Sequence, residues 1–238
     1  RDLLSVFCSK CLGPSVWQQV DRRLAVCYSK GNPWKQDMPR LRQQLQQMIG
    51  VEGEALRMFI VGDRDYHPDP ESLRSTLPLE NLEWHIWESV EIENYLLSLE
   101  GMKRLLGEPF EQPTLEEAAL RQEFEKLLES SRDAANDRLV KAFQEYGKSR
   151  DEKWDAATLS RKAREFLQEH WATEKLALAD AKDIVLPGIK RWLQTQHLGQ
   201  FSDKALAEVL RPNDLPQEVR DLAKKLAIFA GVPMERDE

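Results

Sequence analysis

Apolar positions along this chain fall into two patterns, helical stripes and short continuous runs, and each predicts its own kind of element. Leu3, Leu4, Phe7, Cys8, Cys11 and Leu12 share one broad face at helical spacing, which predicts a helix over 2–12 stopped by Gly13-Pro14. Leu24-Ala25-Val26-Cys27-Tyr28 reads as a short strand, 29–33 as a turn, and 38–48 as a helix with Leu41, Leu45 and Met48 in its stripe. Met58-Phe59-Ile60-Val61 is an apolar run closed by Gly62, the pattern of a buried strand. Residues 66–70 read as a loop and Trp84-His85-Ile86-Trp87 as the next strand. Ile92, Leu96, Leu99 and Leu106 then form the core face of a following helix.

The pattern changes at Pro113. Thr114 and Glu117 have the spacing of a capping box, and from 114 to 175 there is no proline and only Gly147 for a glycine. Leu120, Phe124, Leu127 and Leu128, then Leu139, Ala142, Phe143 and Tyr146, then Leu159, Ala163, Phe166 and Leu167 predict antiparallel helices over 113–175. The chain returns to a layered core over 176–186, where Ala181-Lys182-Asp183 leads into a helix holding Ile189, Trp192 and Leu193. Two short helices close it, capped by Asp203 and Asp214, with Pro216 just inside the second. Strands alternating with helices predict an α/β fold with a mainly parallel sheet. The expected organisation is a core over 1–112, a helical insertion over 113–175 and a closing part of the core over 176–238.

Composition narrows the classes. With 238 residues, 41% of them hydrophobic, the chain has material for a substantial core. A net charge of −7 argues against nucleic-acid binding over the whole surface and leaves room for a local basic track. Three cysteines, an odd number, point to a reducing, cytoplasmic compartment. Cys8 and Cys11 form a Cys-x-x-Cys, but Cys27 is the only other cysteine, so a buried structural role outweighs a four-ligand zinc site. No apolar run approaches the roughly 20 residues of a membrane span. His67 and His85 read as loop and strand residues, and Trp84, Trp87, Trp171 and Trp192 as core.

The candidate chemistry lies at the end of the first apolar run. Residues at i and i+2 of an extended chain point the same way, so Asp63 and Asp65 are expected to face one crevice at the C-terminal end of a strand. Adjacent carboxylates repel, a divalent cation relieves the repulsion, and hard oxygen ligands suit Mg²⁺ or Mn²⁺. Glu91 and Glu93 stand where the next strand gives way to a helix, a place where acids also serve as ordinary caps. Asp-x-Asp alone is a weak signal, since a turn can carry two acids without function.

The wider constellation is more specific. Gly62-Asp63-Arg64-Asp65-Tyr66, Trp87, Glu91-Ile92-Glu93-Asn94-Tyr95-Leu96-Leu97, the helical insertion and Ala181-Lys182-Asp183 together resemble a TOPRIM domain. The nearest kind is the C-terminal nuclease half of OLD-type (overcoming lysogenization defect) ATPases and related phage-defence proteins, over roughly residues 1 to 230. The resemblance implies a Rossmann-like fold that cuts or nicks DNA with Mg²⁺ or Mn²⁺, in phage defence or DNA repair, beside an ATPase domain. It implies that Asp63 and Asp65 bind metal, that Glu93 with Glu91 supplies the acidic position after the next strand, and that Lys182 lies near the scissile phosphate. An RNA such as a tRNA is the alternative substrate. A non-catalytic module whose helices drive homo-oligomer assembly is the alternative of a different class. The family also carries a glutamate on a first strand ahead of the first helix, whereas this chain opens within that helix and has no phosphate-binding loop. The resemblance therefore implies that the chain is part of a longer protein, and that residues outside it complete the active site.

Overall fold

Gly13 divides the N-terminal apolar stripe into two helices. Helix α1 spans Asp2–Leu12 and α2 spans Pro14–Arg23. Gly13 takes a φ of 83°, a left-handed value that glycine adopts without penalty, and Pro14 begins α2 with its φ already helical. The sequence reading stops α1 at this place but assigns no helix to 14–23. The computed structural model describes residues 2–25, 57–69, 82–107 and 117–233. Leu24 and Ala25 belong to no strand, while the rest of the strand expected there and the helix expected over 38–48 lie outside the described residues.

Strand β1 (Met58–Gly62) pairs in parallel with β2 (Leu82–Ile86), in a register that sets Met58 against Leu82 and Gly62 against Ile86. The Trp87 N–H donates to the Gly62 carbonyl at 3.1 Å, so the ladder runs one step past β2. Met58 to Val61 are half-buried and Gly62 is buried, where the sequence suggests a fully buried strand. The helix expected to begin at Ile92 is split in two. Ile92–Leu96 is a 3₁₀ turn, and α3 starts afresh at Leu99 and ends at Leu106. Ser98 causes the restart, because its Oγ accepts the Gly101 N–H at 3.0 Å and caps α3.

Three longer helices follow: α4 (Glu117–Ser130), α5 (Arg132–Ser149) and α6 (Ala156–Leu178). Helices α5 and α6 pack side by side, with Phe143 edge-on to Phe166 at 6.2 Å. Asp155 caps α6 by accepting the Thr158 N–H at 2.7 Å. This helix runs past residue 175, with a local break at Glu174 (φ −120°, ψ 16°). The segment expected to lead straight into the next helix is instead a separate, wide π-helical turn, Ala181–Val185, followed by α7 (Leu186–Thr195). Helix α4 packs on α7 and on that turn.

The chain closes with α8 (Asp203–Val209), a 3₁₀ turn at Pro212–Asp214 and α9 (Gln217–Phe229). Both expected caps shift by a residue or more. Ser202 caps α8 by accepting the Ala205 N–H at 3.0 Å, which leaves Asp203 to pair with Lys190 at 2.7 Å. Asp214 closes the 3₁₀ turn and pairs with Arg104 of α3, and Pro216 stands at the cap position of α9. Helix α1 packs across α2, α8 and α9, burying Phe7, Cys8, Val20, Leu206, Val219 and Leu222. Burial raises the Cys8 thiol far above its usual range and raises that of Cys11 as well, which fits structural thiols rather than a metal or redox pair.

The described chain is mostly helical, and its parallel pairing is the two-stranded β1–β2 sheet. No described helix is long and apolar enough to cross a membrane.

Candidate functional site

Asp63 directly follows β1, and the segment 88–93 directly follows β2, so the parallel register places both at the same, C-terminal end of the sheet. The two segments are joined by backbone and side-chain hydrogen bonds. The Asp65 N–H donates to the Val90 carbonyl at 3.1 Å, and the Ile92 N–H donates to Asp63 Oδ1 at 3.1 Å. The end of α6 fixes the far side of 88–94. The Val90 N–H donates to the Ala177 carbonyl at 2.9 Å, and Asn94 Nδ2 donates to the carbonyls of Leu176 and Ala179 at 2.7 and 2.8 Å.

The strand does not extend through Asp65. Asp65 and Tyr66 take left-handed φ values of 47° and 60°, so the chain turns sharply after Asp63. Alternation along an extended strand is therefore not what relates the two aspartates. Asp65 is exposed and Asp63 half-buried, yet the charge of Asp65 is felt at Asp63. Burial, Glu93 and Asp65 together push the Asp63 carboxyl up to about 6, against the opposing pull of the Ile92 N–H and Lys182.

Glu91 is buried. Burial, then Glu93 and Asp180, raise its carboxyl to about 7, while Arg138 and Lys182 draw it down. Its Oε1 lies 3.6 Å from Arg138 Nη1, and its Oε2 is buried without a hydrogen-bond partner among the described residues. Lys182 projects from the π-helical turn, and its Nζ lies 3.7 Å from Glu93 Oε1. Glu93 first, then Glu91, Asp63 and Asp183, hold the Lys182 ammonium above its usual range. Asp63, Glu91, Glu93 and Lys182 thus form one electrostatic unit drawn from three separate segments, with Asp65 at its exposed edge.

Sequence reasoning missed Arg138 and Asp180. Asp180 is 2% exposed; its Oδ1 accepts the Asp183 N–H at 3.0 Å and caps the turn, while its Oδ2 meets Arg138 at 2.8 Å. An acid three residues before Asp183 is a legible capping signal. Arg138, in the middle of a long mixed-charge helix, carries none.

The donor set is all oxygen, as Mg²⁺ and Mn²⁺ prefer. Among the described residues no group of three or more His, Cys, Asp or Glu is arranged to hold a metal ion. Mg²⁺ commonly takes one or two carboxylates and keeps several waters, so the mutually repelling Asp63 and Glu93, with the unpartnered oxygen of Glu91 beside them, fit such an ion. No protein family, curated protein or solved structure matches this chain in the comparisons made with each.

Proposed function

We propose that this chain carries the divalent-metal-dependent nuclease site of a TOPRIM-like, Rossmann-type core, cutting or nicking DNA beside an ATPase domain in an OLD-like protein of phage defence or DNA repair. One observation carries the reading. Asp63, Glu91 and Glu93 are gathered where two parallel strands end, and Lys182 reaches them from a distant turn, 3.7 Å from Glu93.

In this reading Asp63 and Glu93 would hold Mg²⁺ or Mn²⁺ together with several waters, with Glu91 beside them and Asp65 at the exposed edge. The bound ion supplies Lewis-acid polarisation of the phosphoryl group. Asp63 and Glu91, raised toward neutrality, would have to give up their protons for a cation to be held there. Lys182, 60% exposed at its side chain, stands free to face solvent and offsets the charge that develops on the phosphate. Segment 88–94, pinned to both the Asp63 turn and the end of α6, keeps these groups in register.

The test is Mg²⁺- and Mn²⁺-dependent cleavage of supercoiled DNA and of tRNA in parallel, using the intact gene product. DNA nicking that vanishes with chelator and falls at least about 100-fold in Asp63→Asn is expected. Cleavage of tRNA alone would move the substrate to RNA. Absence of cleavage on both, with an Asp63→Asn protein that binds Mn²⁺ as the wild type does, would overturn the reading.

A further inference from the structure

We propose that Arg138 of α5 is a positioning residue of this site, locking the turn that presents Lys182 to the segment that presents Glu91 and Glu93. The inference rests on the nuclease reading.

The geometry is that of one planar fork shared by several acids. Arg138 Nη1 lies 3.6 Å from Glu91 Oε1, and Nη2 lies 2.8 Å from Asp180 Oδ2 and also pairs with Asp183. Asp180 and Asp183 flank Lys182 in sequence, so Arg138 grips the turn on both sides of the lysine. Its guanidinium also lies 5.9 Å from the centre of the Tyr66 ring, on the turn that carries Asp65. A single side chain from the helical segment therefore touches all three segments that build the site.

Three further observations favour positioning over substrate contact. Arg138 is about two-thirds covered, with 35% of its side chain exposed, and its Nη2 is already committed to Asp180 and Asp183, whereas Lys182 is 60% exposed. Asp180 is almost fully buried and needs a cationic partner for its second oxygen. Glu91 already has one buried oxygen without a partner among the described residues, so losing Arg138 would free the carboxylate to shift. A lysine could neutralise Asp180 as a point charge but could not span Asp180, Asp183 and Glu91 together.

The experiment compares wild type with Arg138→Lys, Arg138→Ala and, as a control on the same helix, Arg132→Ala, whose guanidinium lies 5.9 Å from the Trp171 ring centre. Thermal unfolding, Mn²⁺ affinity by electron paramagnetic resonance, and kcat and KM for nicking are measured on each. Arg138→Lys is expected to fold and to lose about 10–100-fold in kcat, as small misplacements of reacting groups do, with KM within about threefold of wild type. Arg138→Ala is expected to fall further and to regain part of its kcat when guanidinium ions are added, while Arg132→Ala keeps wild-type kcat.

Wild-type kcat in Arg138→Lys overturns the inference. So does a raised KM at constant kcat, which would make Arg138 a substrate contact, or a loss that merely follows the folded fraction. If wild type binds Mn²⁺ and cuts while the Arg138 variants match it, only the role of Arg138 falls. If wild type does neither, the nuclease reading falls and the inference with it.

Discussion

Two carboxyls near neutrality make the site sensitive to pH at the level of single residues. Glu91 titrates near its ordinary 4.5 when unfolded and at about 7 when folded. Between those values the folded chain holds a proton that the unfolded chain has lost, so stability falls as pH rises through that window. Below 4.5 the penalty is absent, and above about 7 it is complete. Glu91→Gln removes it, and Arg138 keeps its pairing with Asp180. Urea unfolding should therefore show Glu91→Gln more stable than wild type by about 1–3 kcal/mol at pH 8 and nearly equal to it at pH 4. Equal stability at both pH values would remove the claim that this carboxyl is strained when ionised. Asp63 gives the matching ligand prediction: Mn²⁺ affinity should climb as pH rises through about 6, where Asp63 loses its proton, and Asp63→Asn should weaken it at least about tenfold. Asp63 and Glu93 were legible in the sequence as charged residues at the edges of apolar elements, and Lys182 only through the resemblance to a family. Arg138 and Asp180 were not, because their meaning lies in a contact between distant segments. The left-handed turn at Asp65 was hidden for a different reason: neither Asp65 nor Tyr66 is a glycine, so nothing in their types announces a positive φ.

At the scale of elements, hydrophobic spacing located the helices better than their ends. The stripes through Leu120, Leu139 and Leu159 became α4, α5 and α6, because a sustained helical period needs no tertiary information to be read. Ends depend on which of several neighbouring polar groups captures a free N–H. Ser98 won over continuation of the 3₁₀ turn, and Ser202 won over Asp203, whose carboxylate is drawn to Lys190. How helices pack was less legible still, and Gly188 shows why. A Cβ at that position would lie 2.5 Å from Leu127 Cδ2 and 3.0 Å from its Cδ1, so the bare backbone of α7 is what lets α4 approach. Gly188→Ala should destabilise the fold by about 1–3 kcal/mol through overpacking. In the Leu127→Ala background the same change should cost far less, because the side chain it meets is gone. Additive effects of the two substitutions in denaturant unfolding would show that the close approach is not the cause.

For the whole molecule, the site at one end of the sheet is held from behind by the last helix. Glu218, in the first turn of α9, has only 7% of its side chain exposed. Its Oε1 accepts the Glu88 N–H at 2.7 Å and lies 3.2 Å from His85 Nε2, and its Oε2 accepts the Tyr95 hydroxyl. The Trp87 ring packs between His85 at 4.5 Å and Tyr95 at 5.2 Å. A carboxylate at a helix start is favoured by the free N–H groups there, and this one also binds the backbone that leads to Glu91 and Glu93. Since α9 packs on α1 and α2 as well, it connects the N-terminal helices to the strand end. Glu218→Ala would take away the acceptor of the Glu88 N–H and of the Tyr95 O–H, leaving the Tyr95 hydroxyl, among the described residues, only the Ser89 N–H at 3.4 Å, a loss of about 1–3 kcal/mol. Urea unfolding should show a lower midpoint with an unchanged slope, as for a loss of stability without a change of unfolded state. Tyr95→Phe should cost less alone and should couple to Glu218→Ala by more than about 0.5 kcal/mol, as residues in one network do. Mn²⁺ affinity should fall in Glu218→Ala although Glu218 lies outside the carboxylate unit, because the segment bearing Glu91 and Glu93 loses its rear support. A variant that loses stability yet binds Mn²⁺ like wild type would show that α9 stabilises the fold without setting the geometry of the site.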